Sequence, residues 1–239
     1  MLLYHNLLLA SIIAIVVLIT SVSLPYLLPS DQYIMAAHSS SSKHKTKGDG
    51  TIQICCSWGK EIDDGILTYR IDDDANPQVI QAVHQAVDEW NSKVPNIQLQ
   101  EVTDSNTPAD IDIMTNSKAP KVTQPISTGI GGPKITAGKN IKLVQPGESQ
   151  FSFDPQGLLA HVDITISTKA LGKSIGSSEL ESIVKHEIGH SYGIGHTDFI
   201  DDLMSPVLAG STDISQCDIN GIEEANSNPH APSLEFLRC

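Results

Sequence analysis

Apolar and polar positions follow two periods along this chain, and the change from one to the other marks out its elements. Residues 66–71 (ILTYRI) have the composition of a strand. Pro77 then opens a helix at the position where its missing N–H costs nothing, with Asn76 as the cap. Val79, Ile80, Val83, Val87 and Trp90 form the stripe that this helix should bury. Two alternating runs follow, Ile97 to Val102 and Ile111 to Met114, and after a Gly-rich stretch at 129–132 a third run sets Val162, Ile164 and Ile166 on one face. These read as strands of a sheet. A second helix is predicted from Ser178, whose S-x-x-E relation to Glu181 has the form of a capping box, to about Tyr192. A last helix is expected from Ser215, with Asp218 at its third position and Ile214 and Ile219 placed as a hydrophobic staple. It ends near Asn226 and leaves a short tail to Cys239.

One segment fits no domain core. Leu7 to Thr20 (LLLASIIAIVVLIT) carries no charge, and its apolar character continues to Leu28. Counted to Thr20 it has the length of a signal-peptide apolar region, with Ser21-Val22-Ser23 as a small-x-small cleavage site; counted to Leu28 it could span a bilayer. Residues 1–28 are therefore a signal peptide or a membrane anchor. Residues 29–50, rich in Ser and Lys, read as a flexible linker, and residues 51–239 as one domain.

The formal net charge is −13, although residues 1–48 hold three lysines against a single aspartate, so the domain is more acidic than the whole. Such a surface repels phosphate backbones, which argues against nucleic acid as a partner. The three lysines after the apolar segment would place the domain inside the cell by the positive-inside rule. The cysteines argue the other way. Cys55, Cys56, Cys217 and Cys239 are an even number behind an export-like segment, the pattern of disulfides in an oxidising compartment. The alternative, a second metal site, is weakened because adjacent Cys55 and Cys56 lack C-x-x-C spacing. The expected location is outside the cell, secreted or membrane-anchored.

The chemistry concentrates in residues 186–196, HEIGHSYGIGH. His186 and His190 lie four apart on the predicted helix, so both imidazoles project from one face and can reach a single ion. Glu187 stands about 100° further round, near enough to hydrogen-bond a water at that ion without being a ligand. Gly193 can take the left-handed conformation that turns the chain and returns His196 to the same point. Three neutral nitrogens on zinc leave one coordination position open, as in a catalytic site. The five fixed residues of H-E-x-x-H-x-x-G-x-x-H arise by accident in this composition with a probability on the order of 10⁻⁵.

The stretch from His186 to His196 resembles the metzincin metallopeptidases, and the following DDLMSP resembles their matrixin branch. The likeness extends over WGKEIDDGILTYRI and the helix to Trp90, over GLLAHVDI as the substrate-flanking strand, and over ISQCDINGIEE as the C-terminal helix, roughly residues 55–226. It implies an α+β metzincin fold: a twisted mixed β-sheet with two long helices, an active-site cleft, and a small C-terminal subdomain holding a Met-turn at Met204 and the last helix. It further implies a zinc-dependent endopeptidase with one catalytic Zn²⁺ on His186, His190 and His196, and Glu187 as general base. Peptide substrate would pair with an edge strand near Leu159 and Ala160, while Pro206, Val207 and Leu208 would wall the pocket beyond the cut.

The resemblance also brings the N-terminal segment onto the last helix, implying that Cys55 and Cys56 pair separately with Cys217 and Cys239. With only residues 1–50 before the domain, latency through a propeptide cysteine on the zinc is not expected. His161-Val162-Asp163 has the H-x-D form used for a structural zinc in this family, but no other histidine lies between His84 and His186, so His161 reads as a strand residue and no structural zinc of that kind is expected. Ca²⁺ is the other candidate cation, at Asp63-Asp64, Asp72 to Asp74 or Asp201-Asp202, although none has EF-hand spacing and solvated turns are the plainer reading. Tyr192 reads as core, Asp198 as a turn former, and His84 as a surface residue without function. The expected partners are protein or peptide substrates, the membrane only through the N-terminal segment, and no second copy. Two rivals share the ligands: a zinc-binding adhesion or interaction module without turnover, and a zinc amidase acting on a cell-wall bond.

Overall fold

The computed structural model describes residues 50–116, 146–170, 173–199, 201–206, 213–227 and 235–239. The apolar leader and the linker up to residue 49 lie outside them, as do the Gly-rich stretch, Val207 and Leu208. Among the described residues no helix is long and apolar enough to cross a membrane.

In chain order the elements are β1 (Thr51–Ile54), β2 (Ile66–Ile71), α1 (Pro77–Lys93), β3 (Gln98–Glu101), β4 (Ile111–Asn116), β5 (Gly147–Phe153) and β6 (Leu159–Ser167), then β7 (Lys169–Ala170), β8 (Lys173–Ser174), α2 (Ser177–Ser191), β9 (Ile194–Thr197), α3 (Gln216–Ser227) and β10 (Glu235–Arg238). The main sheet has the order β3-β2-β4-β6-β5. Its first four strands are parallel, and β5 closes one edge antiparallel to β6. With two long helices and a separate C-terminal helix, this is the expected mixed α+β arrangement.

The core lies between the sheet and the helices. Val162, Ile164 and Ile166 of β6 are fully buried, and burying each such side chain stabilises by about 1.5–3 kcal/mol. The predicted α1 forms as read: the Asn76 side chain accepts from the Gln78 N–H at 2.9 Å, and Val79, Val83, Val87 and Trp90 are buried. Ala82 and Ala86 join them, whereas Ile80 is only partly covered. The two tryptophans fix the helix layer by their indole N–H groups. Trp90 donates to the carbonyl of Lys185 at 3.0 Å and Trp58 to that of Ser191 at 2.7 Å, so both ends of one stretch of α2 are held.

Helix α2 starts earlier than predicted. Gly176 is its N-cap and Glu179, not Glu181, reaches back to the cap N–H, at 3.3 Å. Ile175 and Leu180 occupy the staple positions and are both buried, which fixes the entry of the chain more strongly than the Ser178 hydroxyl can. Glu181 instead joins Glu89 around the buried Lys185 ammonium. At α3, Ser215 and Asp218 cap each other: Ser215 N–H donates to Asp218, and the Asp218 N–H donates to Ser215 Oγ.

The tail to Cys239 is more than a tail. As β10 it pairs antiparallel with β1, which also pairs with β9. This small sheet corrects the expected disulfides: Cys55 is joined to Cys56, and Cys217 to Cys239. The register explains it. Arg238 faces Thr51 and the Cys239 N–H donates to the Gly50 carbonyl, so Cys239 lies at the opposite end of β1 from Cys55. Helix α3 runs back along β1, with Ala225 close to Gly193 and Cys56, and Gly221 over Ile52. Cys217, two turns earlier on α3, is thereby carried to the Cys239 end.

Candidate active site

Helix α2 presents His186 and His190 on one face, with ring centroids 4.6 Å apart and their Nε2 atoms at 2.9 Å. Each ring is oriented from behind. His186 Nδ1 lies 2.6 Å from the Leu203 carbonyl and His190 Nδ1 2.8 Å from the Ile194 carbonyl. With Nδ1 carrying the proton and donating to these acceptors, both Nε2 lone pairs are directed to the same point. Two converging lone pairs repel one another unless they share a cation.

His196 completes the group from β9, with its ring 5.4 Å from that of His186 and 5.1 Å from that of His190. Two features bring it there. Gly193 takes φ +94°, the left-handed conformation expected where α2 must stop. Then Ile52 and Ile54 of β1 pair with Thr197 and Ile194 of β9, so two residues of β9 oppose one of β1, Gln53. The resulting bulge falls at Gly195-His196 and re-aims the histidine, a device that no periodicity displays. Ligand-type nitrogens of all three histidines lie within 4.8 Å of one another. A soft-to-borderline, all-nitrogen set of neutral imidazoles fits zinc.

Below the histidines lies Met204, fully buried, whose carbonyl accepts from the Thr197 N–H at 2.9 Å and so ties its loop to the strand of His196. Its sulfur rests on Gly189: a Cβ there would fall 2.5 Å from it. The loop is pinned by Asp202, whose carboxylate accepts from the Met204 N–H at 3.0 Å. Asp202 therefore does not lie in a solvated turn, as its acidic run suggested; it is buried and faces Asp218 of α3. Burial, and then the charge of Asp202, push the Asp218 carboxyl well above its ordinary range.

Glu187 is fully buried, and its Oε2 accepts from the Ser149 hydroxyl of β5 at 2.6 Å. A Cβ on Gly147 would meet Glu187 Oε1 at 2.3 Å, so the start of β5 lies directly against the carboxylate. Neither Gly147 nor Ser149 was singled out from the sequence. GESQFSF alternates, but with so few apolar residues that its period is faint.

The same strand corrects the substrate-flanking segment. Leu159 and Ala160 belong to β6, which lies between β4 and β5, and Leu159 is fully buried and paired with Phe153. The edge next to Glu187 is the Gly147 half of β5. Pro206 is buried, while Val207 and Leu208 lie outside the described residues.

The remaining candidates fall elsewhere. Tyr192 is core, its ring 5.4 Å from Trp90. Asp198 accepts from the Thr51 N–H at 2.7 Å and pins the start of β1. His84 is on the surface beside Glu101. His161 is a residue of β6, with Nε2 at 3.5 Å from Asp112 and 3.4 Å from Asp163 on the outward face of the sheet, where Arg70 also reaches Asp112. Asp63, Asp64, Asp73 and Asp74 are exposed, and among the described residues neither run gathers three ligand atoms.

Three imidazoles converging from a helix and the strand after it, a carboxylate on the next helical residue and a buried methionine turn below define a mononuclear site of the metallopeptidase class. The chain belongs to the matrixin family, which it matches over residues 57–226. Membership carries with it a zinc-dependent peptidase class of hydrolase acting on protein substrates. No curated protein matches the chain.

Proposed function

We propose that this protein is a zinc endopeptidase acting on extended segments of proteins outside the cell, with His186, His190 and His196 as ligands and Glu187 as general base. The observation that carries this reading is the double orientation of the site: Nδ1 of two histidines held by backbone carbonyls, and the carboxylate of Glu187, the next residue of the same helix after His186, held by the Ser149 hydroxyl.

When bound, zinc supplies Lewis acidity toward the scissile carbonyl and the attacking water. The chain's own residues do the rest. Glu187 accepts the proton of the attacking water and returns it to the leaving nitrogen, so one carboxyl serves as base and then acid. Among the described residues the outer edge of β5 pairs with no other strand, which favours an extended peptide adding there through backbone hydrogen bonds. Pro206, Val207 and Leu208 remain the proposed wall of the pocket beyond the cut, which favours a medium or large apolar residue in that position. The even number of cysteines, all disulfide-bonded, supports an oxidising compartment.

The test compares zinc-loaded wild type with Glu187→Gln, chosen over alanine because the side chain is buried and glutamine keeps its shape and an acceptor for Ser149. Zinc content, measured by elemental analysis, should be unchanged while cleavage of a broad peptide library falls by about 10²–10⁴. Wild type that binds zinc yet cuts no better than the variant would replace this reading with the zinc-binding interaction module. Cleavage confined to cell-wall polymers would replace it with the amidase.

A further inference from the structure

Gly147 and Ser149 of β5 lie against Glu187 of α2. With Phe151 they alternate along one face of the strand, opposite Ile166, Ile164 and Val162 of β6, all three fully buried. Ser149 is thus a hydroxyl on an otherwise apolar face, and it has one short partner: Glu187 Oε2 at 2.6 Å, against 3.3 Å to the backbone carbonyl of the same residue. Beside it the bare Cα of Gly147 accepts the other half of the carboxylate, since a Cβ there would come within 2.8 Å of Glu187 Cγ and Cδ as well as 2.3 Å of Oε1. Hydrogen bonds to a carboxylate away from water are stronger than neutral exposed ones. A glutamate side chain has three torsions to fix, and a single anchored oxygen plus a fitted wall suffices to select one arrangement.

We propose that Ser149 is the positioning residue of the general base. It holds Glu187 by Oε2, and Gly147 provides the room in which the carboxylate takes that orientation. The role rests on the peptidase reading given above. It is independent of metal binding, because neither Gly147 nor Ser149 belongs to the histidine group.

The full-length, zinc-loaded protein should be compared with Ser149→Ala, Ser149→Thr and, as a control, Ser105→Ala, an exposed residue between β3 and β4. Loss of a hydrogen bond to a charged group predicts a fall in kcat of about 10- to 100-fold for Ser149→Ala, with KM and zinc content unchanged. Ser149→Thr keeps the hydroxyl and should return kcat to within a few-fold of wild type, and Ser105→Ala should match wild type. Unchanged kcat in Ser149→Ala overturns the proposal. So does a threonine variant as slow as the alanine one, because shape and not the hydroxyl would then matter.

A second readout needs no activity. In zinc-free protein, denaturant unfolding of Ser149→Ala, Glu187→Ala and the double variant should be non-additive, as for residues in direct contact. Additive effects in an enzyme that cleaves overturn the cradle and leave the peptidase standing. A wild type that cleaves nothing removes the peptidase reading and the catalytic role of Ser149 with it, while non-additivity would still identify the contact.

Discussion

Gly193→Ala tests whether one backbone turn holds the metal site together. The residue has φ +94°, where an L side chain costs about 1–2 kcal/mol. A Cβ would also meet the Cys56 carbonyl oxygen at 2.3 Å, which is backbone and cannot rotate away. Relief requires β1 and the α2–β9 turn to separate. That movement weakens two hydrogen bonds, from Cys55 N–H at 3.0 Å and Cys56 N–H at 3.3 Å to the Gly193 carbonyl, each worth about 0.5–1.5 kcal/mol. Together these terms amount to about 2–5 kcal/mol. For a domain of this size that lowers the Tm by roughly 4–20 °C. The turn also carries His196, and His190 Nδ1 is bonded to the Ile194 carbonyl one residue beyond Gly193, so zinc affinity should fall by at least tenfold. Thermal unfolding of the zinc-free protein and competition against a chromogenic chelator measure the two effects separately. A Gly193→Ala protein that melts within 2 °C of wild type and holds zinc as tightly would refute the reasoning, because neither the strained φ nor the contact with Cys56 would then be real constraints.

Further outcomes follow from other parts of the structure. His190→Ala removes one of three nitrogens and should lose both zinc, by elemental analysis, and cleavage. Cys217→Ser opens a loop with a sequence separation of 22, which the chain-entropy model values at about 3 kcal/mol; a loss below 1 kcal/mol in denaturant unfolding would mean that β10 is held by its strand pairing with β1 alone. Asp218 has its folded-state pKa raised, to about 8, so the native state binds a proton that the unfolded state releases above the ordinary carboxylate range. Stability from this group is therefore lost as pH rises from about 4 toward about 8. Asp218→Asn, which cannot ionise, should flatten that slope in zinc-free protein, and an equally steep variant would count against it.

Much of the site was legible because its chemistry is local. The i, i+4 spacing of His186 and His190, the glutamate beside the first and the glycine at the helix stop follow from helical geometry over eleven residues, and short-range geometry is what a sequence states directly. The stripe of α1, its Asn76 cap and the buried run of β6 were legible for the same reason. At the start of α2 two competing capping signals, Gly176 and Ser178, stand within three residues, and burial of Ile175 and Leu180 decides between them.

What tertiary structure alone decided were the relations between segments distant in sequence. Which strand forms the edge beside Glu187 depends on sheet order, and β5, with its polar sequence, announces neither its place nor its contact with a helix 38 residues away. Disulfide pairing depended on the direction in which α3 runs along β1 and on a C-terminal strand that closes the small sheet. The burial of Asp202 and Glu187 likewise arises from what packs over them. Side-chain type and spacing determined that this chain could gather three imidazoles and a carboxylate; the register of strands and the packing of helices determined which groups orient them, since contacts across many residues carry no period along the chain.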